Sequence, residues 1–419
     1  MKQLLHFLDH SPTAWHAVSN AKAHLKKLGF HELLEGNAWK LKLGGQYFVS
    51  RNGSSLCAFI LPKKMPSHAI VLASHTDSPG YKLKPNAEFS KENMTLLGVE
   101  VYGGPLITSW LNRDLGIAGR VTYLDAHHQV QEALVRLDEH PVVLPQLAIH
   151  LDREVNDKGL LLNKQEQLAV LADVSEAKKA SFLAPLLKKA IGKSEILSSD
   201  LFLFPLEPAS LIGGQKHLLA SYRIDSLVSV HAILTALEQH KPSNDRLKVA
   251  LFLDHEEVGS NSAQGAASPF FNQIFERIAI QCGLNREELF QLQSKSLCLS
   301  VDLGHALHPN YKDRHDPQHT LLMGQGVVLK YNAQQKYASD ARTAGQVIAL
   351  CKKHKIPYQS FVNRGDIACG STIGPVYAHV TGMATVDIGI PQLSMHSARE
   401  LVDIKDYSSM VKLLSCSLN

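Results

Sequence analysis

The chain has 419 residues, 45% apolar and 20% charged, and its 43 Lys/Arg against 39 Asp/Glu leave a formal net charge of +4. That balance fits a soluble globular protein of about two domains. It excludes a mostly disordered chain and a nucleic-acid binder working through a concentrated basic stripe, and no window approaches the ~18 uninterrupted apolar residues of a membrane-spanning helix. The opening stretch, MKQLLHFLDHSPTAWHAVSN, breaks its apolar run at His6, Asp9 and His10 and offers no small-residue cleavage site, so no secretory leader is expected. Residues 4–30 are predicted helical, with Ser11-Pro12-Thr13 as a cap before a run ending at Gly29. Short strands are predicted at 38–43, 47–51 and 55–60. The apolar run 69–73 suits a strand buried on both faces. From 79 to 214 the texture changes: segments 97–102, 119–124 and 131–137 alternate like half-exposed strands, joined by Gly- and Asn-rich turns. The Lys/Glu-rich residues 163–193 predict one or two solvated helices.

After Ser221 strands and helices alternate: helix 226–239, strand 247–253, helix 269–281, strands 297–301 and 326–330, helix 339–355, strand 384–388 and a final helix 398–414. Such alternation predicts an α/β fold, a three-layer domain with a mainly parallel central sheet covered by helices. This domain is expected to comprise residues 1–78 and 215–419, interrupted by an inserted β-rich domain at 79–214. The six cysteines are scattered without a C-x-x-C pair, which points to buried thiols and a reducing, cytoplasmic setting. The 22 histidines are the one unusual count.

Five segments deliver acidic or imidazole groups at the end of an apolar strand or the start of a helix. They are Ser74-His75-Thr76-Asp77, Arg223-Ile224-Asp225, Asp254-His255-Glu256-Glu257, Asp302-Leu303-Gly304-His305 and Ser394-Met395-His396. In open parallel sheets, sites form beyond the carboxyl ends of the strands. Several carboxylates buried together are costly unless cations offset them. Two histidines and three carboxylates, with a further Glu beside them, make a suitable shell for two Zn²⁺-like ions sharing one carboxylate and one water. Asp77 would then hold the His75 tautomer by accepting from its far nitrogen. Of Glu256 and Glu257, one would ligate and the other serve as base.

Each residue alone has a plainer reading. A His–Asp pair in a turn is usually a cap, Glu-Glu is usually a solvated turn, and Asp225, Asp302 and His396 all stand where helix caps occur. His255, His305, His308, His315 and His319 compete as ligands, and His308 is placed by its loop to line the pocket without touching metal. The segment Gly370-Ser371-Thr372-Ile373-Gly374-Pro375 lacks the Lys and spacing of a phosphate loop but can present main-chain N–H groups to a substrate or a developing oxyanion. No nucleophile elbow, Walker loop or dinucleotide fingerprint is present.

These blocks, SHTDSPG, RIDSL, DHEEVGS, SVDLGHALHPNY, GSTIGP and SMHSARE, resemble the signatures of the M18 aminopeptidases, the group that includes aspartyl aminopeptidase. SPTAWHAV, RNGSSLCAF, YGGPL with RDLGIAGR, LAIHLDREVN and LKYNAQQKYASD extend the resemblance over essentially the whole chain. It implies a dinuclear metal exopeptidase that removes the N-terminal residue, Asp or Glu, from peptides. His75 and Asp302 would hold one ion, Glu257 and His396 the other, with Asp225 bridging, Glu256 as general base and Asp77 orienting His75. Zn²⁺ is the implied metal, with Mn²⁺ and Co²⁺ chemically acceptable. The resemblance also implies an inserted dimerisation domain, tetrahedral dodecamers, a His150 that reaches a neighbouring subunit's active site, and Lys330 and Tyr337 as pocket residues, the former suited to an acidic side chain. Two positions depart from the family pattern. Ser226 stands where Asn usually follows the bridging aspartate, often at a cis peptide, and Trp110-Leu111-Asn112-Arg113 replaces W-x-D-R. The rival functions are a broad-specificity aminopeptidase, a dinuclear deacylase and a non-enzymatic assembly protein. Peptides and further copies of the chain are the expected partners, with no nucleic acid and no membrane.

Overall fold

The computed structural model describes residues 1–174, 182–192 and 195–419. They form two compact units: residues 1–77, 210–395 and 400–419 make the first, and residues 78–209 with 396–399 the second.

The first unit is organised by a nine-stranded sheet. Its centre runs Arg246–Leu253, His68–His75, Leu297–Val301, Ala384–Gly389, all four parallel. The flanks are mixed. Ser55–Ile60 joins Arg246–Leu253 antiparallel, and Val327–Tyr331 joins Ala384–Gly389 antiparallel. The middle strands are apolar throughout because both faces are covered: Arg246–Leu253 is buried at every position but the first, and Leu297–Val301 at every position. A core of Phe59, Val71, Leu251, Phe270, Phe271, Phe275 and Tyr377, among others, fills one side. Helix Ile224–Glu238 is apolar almost all round and accordingly buries twelve of its residues.

Residues 4–30 fold as two helices, Lys2–Asp9 and Ala14–Lys27, because Thr13 caps the second with its hydroxyl on His16 N, breaking the run at Pro12. No strand forms at 38–43; there Trp39 packs into the core with the Arg277 guanidinium 3.6 Å above its ring. The last helix is Ile404–Leu418, not 398–414. Its expected first turn is instead the strand Glu400–Asp403, paired on both sides with Leu218–Ser221 and Pro391–Leu393, and Asp403 caps the helix on Lys405 N. Helices Arg286–Ser294 and Ile373–Thr381 add to the expected set; the first opens with a reciprocal Asn285/Glu288 cap.

The second unit is built on a six-stranded antiparallel sheet in the order Val130–Val142, Leu115–Leu124, Glu195–Pro205, Gly80–Lys91, Met94–Tyr102, Val170–Val174. Tyr81 and Trp110 meet edge to face, 5.2 Å between centroids. Residues 210–214 fall with the first unit because Ser210–Ile212 pairs with Leu218–Ser221. Of the helical stretch expected at 163–193, Val170–Val174 is a strand, Leu183–Ile191 is a helix, and 175–181 and 193 lie outside the described residues.

Candidate active site

Strand register sets the site. His75 stands opposite Leu253 on one side, and Ala73 opposite Ser300 on the other. Two residues further on, Asp302 leaves its strand level with His75, and Asp254 leaves one residue beyond it. Acidic groups therefore issue from the carboxyl ends of three adjacent parallel strands. Beyond Asp254 the chain turns through His255 at φ 63° into a 3₁₀ turn, Glu256–Val258, closed by Gly259 at φ 96°. Asp77 fixes that turn: its two carboxylate oxygens accept from Glu256 N and Glu257 N, each at 3.1 Å.

Asp225 arrives from the start of Ile224–Glu238, where Arg223 has φ 62° and the Asp225–Ser226 peptide is cis. Asp225 N donates to Glu400 Oε2 at 3.0 Å, and Arg223 Nη2 donates to Thr76 O. The sequence assigns no role to Glu400, and Arg223 enters it only as the residue two before Asp225. Glu400 lies inside the SMHSARE block and Arg223 inside RIDSL, so the blocks held the only available signal.

Around His75, Nδ1 lies 3.1 Å from Asp77 O and 3.4 Å from Asp77 Oδ1, while Nε2 faces Asp225 Oδ1 at 3.2 Å and Asp302 Oδ1 at 3.5 Å. With Nδ1–H donating to Asp77, Nε2 turns a lone pair towards two carboxylate oxygens. That arrangement repels itself unless a proton or a metal cation lies between. Ligand atoms of His75, Asp225 and Glu257 all lie within 4.8 Å of one another, the one such group among the described residues. His75, Asp77, Asp225 and Asp302 are 1%, 3%, 4% and 8% exposed. Burial alone would lower the proton affinity of His75. Its hydrogen bonds to Asp225, Asp302 and Asp77, with the Glu256 charge, override this and hold it well above the usual imidazole range. Glu256 is driven well above the carboxylate range by burial and by the charges of Glu257, Asp302 and Asp77, against the pull of His75. So much buried negative charge fits divalent cations, and the imidazole-plus-carboxylate donor set fits zinc.

The family model described as aminopeptidase I zinc metalloprotease (M18) matches residues 7–416. The chain belongs to the M18 aminopeptidase family. It is 39% identical over 98% of its length, and 96% of the relative's, to a protein of Ectopseudomonas mendocina named "Probable M18 family aminopeptidase 2". A Streptomyces coelicolor protein of the same name is 39% identical over 96% of this chain and 94% of its own. Among solved structures, the Ape4 chain of an Ape4–Nbr1 complex superposes with a TM-score of 0.93 at 35% identity, covering 99% of this chain and 84% of that one. The dodecameric mApe1 of S. cerevisiae gives 0.85 at 28% identity, covering 99% and 95%. This M18 aminopeptidase is therefore a metallo-hydrolase of a zinc-dependent family.

The remaining expected residues are distributed as follows. Lys330, 1% exposed, puts Nζ 3.3 Å from Asp302 Oδ2 and 5.4 Å from the Tyr337 ring centroid. Tyr337 is buried with Leu321, Val328 and Phe361. His396, at φ 65°, belongs to the second unit, with Nδ1 3.2 Å from Gly104 O. His150 is exposed in a turn of the same unit. His308 accepts from Asn310 N through Nδ1. Ser371 Oγ donates to Lys336 O, and Gly370 has open space where a Cβ would stand. The competing histidines are engaged elsewhere: His255 with Ser262, His315 with His308 N, His319 with Asp316 and His305 against Phe361. Asp254 is pushed up to about 6 by burial and the Asp77 charge.

Gly389 makes this packing possible, since a Cβ there would stand 1.6 Å from Asp302 O. Gly389→Ala is expected to cost at least about 2 kcal/mol by forcing two central strands apart and to weaken zinc binding through Asp302. Urea unfolding and zinc titration check this; unchanged values for both would show that the strands yield freely.

Proposed function

We propose that this M18 aminopeptidase removes single amino-terminal residues, Asp or Glu, from peptides at a centre of two divalent ions. His75 and Asp302 would hold one ion, Glu257 and His396 the other, and Asp225 both. Such ions, when bound, polarise a scissile carbonyl and make a nucleophilic water available near neutral pH. Glu256 takes the proton of the attacking water and passes it to the leaving amine. Asp77 keeps Nδ1 of His75 protonated, so that Nε2 stays a lone-pair donor. Lys330, packed over Tyr337, provides a cation for an acidic side chain, with His150 supplied by a neighbouring copy. His308 lines the pocket, and the Gly370-Ser371 segment offers main-chain donors.

Zinc is the favoured metal, while the same donors would accept Mn²⁺ or Co²⁺. Residues 79–214 act as a dimerisation domain, and the dimers build a tetrahedral dodecamer; the dodecameric mApe1 supports this. All six cysteines are free, in keeping with a reducing cytoplasm, and among the described residues no helix is long and apolar enough to cross a membrane.

The observation that carries the proposal is the imidazole of His75 turned edge-on to two carboxylates with Glu257 beside them. The test is a panel of peptides differing in their first residue, with Zn²⁺, Mn²⁺ or Co²⁺ and with chelator. Free Asp- and Glu-terminated peptides should be cleaved, their N-acetylated forms should resist, and chelator should abolish turnover. Equal cleavage of all first residues would replace acidic by broad specificity. Preference for N-acylated amino acids would make the enzyme a deacylase, and no hydrolysis with any metal would leave an assembly protein.

A further inference from the structure

The first unit contains a cavity of about 430 Å³, lined in part by His308, for which the roles above name no part of the substrate. A short chain of contacts leads to it. Lys330 touches Asp302 and lies over Tyr337; Tyr337 packs against Phe361 at 6.2 Å; and Phe361, 6.3 Å from His305, forms the cavity wall. Neither Lys330 nor Tyr337 lines it. The cavity is thus separated from the proposed N-terminal side-chain pocket by one aromatic ring.

The decisive residue is Gln392. It is 1% exposed, lines the cavity, and among the described residues neither its Oε1 nor its Nε2 has a hydrogen-bond partner. Its main chain is committed: Gln392 O accepts from Ala306 N at 2.9 Å, and the residue pairs with His305 on one side and Val402 on the other. The side-chain amide is therefore held in place by two strands with nothing to bind. A buried amide left unpaired is costly, so native structures rarely keep one without a use. What it lacks is a donor and an acceptor, both of which an extended peptide main chain supplies. The polar wall does not satisfy it. Asp316 Oδ1 is turned to its own loop, accepting from Gln318 N and His319 N; Arg364 is paired with Asp366; and Arg314 Nε lies 3.5 Å from Asp313.

We infer that this cavity receives the substrate beyond the bond that is cut, with Gln392 hydrogen-bonding the main chain at the amide between the second and third residues. The inference rests on the aminopeptidase reading above and adds that the enzyme recognises peptides as peptides, not merely as a blocked amino acid. Gln392 is on this account a substrate-positioning residue, remote from bond breaking.

The test uses the purified full-length enzyme with zinc and three substrates that share one N-terminal residue: an aminoacyl p-nitroanilide, a dipeptide and a tripeptide. Gln392→Leu keeps the size and removes both polar atoms. It should raise KM for the tripeptide about tenfold while leaving its kcat, and both constants for the nitroanilide, within about twofold. On the wild-type enzyme, methylating the N–H of the tripeptide's second peptide bond should give a similar rise in KM, a measurement independent of whether the variant folds. Equal losses on all three substrates together with indifference to N-methylation would make Gln392 structural and overturn the inference. So would no change in either experiment. If the wild-type enzyme cleaves none of the three, it is the aminopeptidase reading that has failed.

Discussion

Glu256→Gln is expected to lower kcat by about 10²–10⁴-fold, the range that a positioned acid–base group contributes, while leaving the fold and zinc content in place. The substitution is nearly isosteric. Glu256 N still donates to Asp77, so the turn that presents Glu257 persists. The amide is also neutral, as the metal-free site prefers, since burial and the charges of Glu257, Asp302 and Asp77 already push Glu256 towards its neutral form. The variant should therefore melt no lower than wild type when metal-free. Steady-state kinetics beside metal analysis and thermal unfolding will check this. Turnover near the wild-type value would remove Glu256 from the chemistry.

Asp225→Asn should have the second largest effect, larger on the metal-loaded protein than on the metal-free one. Loss of a partner one step removed from a metal costs about 10–100-fold in affinity or activity, so loss of a ligand proposed to be shared by both ions should exceed that, with fewer than two ions retained after gel filtration. The metal-free protein loses only the contact between Asp225 and His75, one of several carboxylate contacts that favour the protonated imidazole, so it should be destabilised less than the metal-loaded form. Zinc should thus raise the wild-type melting temperature more than the variant's. Equal zinc-induced shifts in the two proteins would show that Asp225 does not hold metal.

Much of the site can be read from the sequence because strand bodies and strand ends differ so sharply. Leu251-Phe252-Leu253 before Asp254, and Leu299-Ser300-Val301 before Asp302, can only be buried strands delivering polar groups at one end. Hydrophobic patterning does not encode neighbours. That His68–His75 lies between strands drawn from residues 246–253 and 297–301 follows from long-range pairing alone. Errors cluster where local pattern is overruled by context. Glu400–Asp403 continues a helical-looking run but is claimed by a strand on either side, and residues 38–43 alternate like a strand yet find no partner. Glu400 and Gln392 are not legible in the sequence for one reason: Glu400 accepts from Asp225 N and Gln392 lines a cavity, and no spacing rule records such neighbours.

The seating of His68–His75 between two later strands has a consequence during translation. A ribosome that has made the first two hundred residues has emitted His75 and Asp77 on a strand with neither of its neighbours, and Asp225, Glu256 and Asp302 do not yet exist. Closing that sheet requires contacts across more than half the polypeptide, the slow kind of pairing. A growing chain therefore cannot complete the centre of this sheet until residues 246–301 have been made.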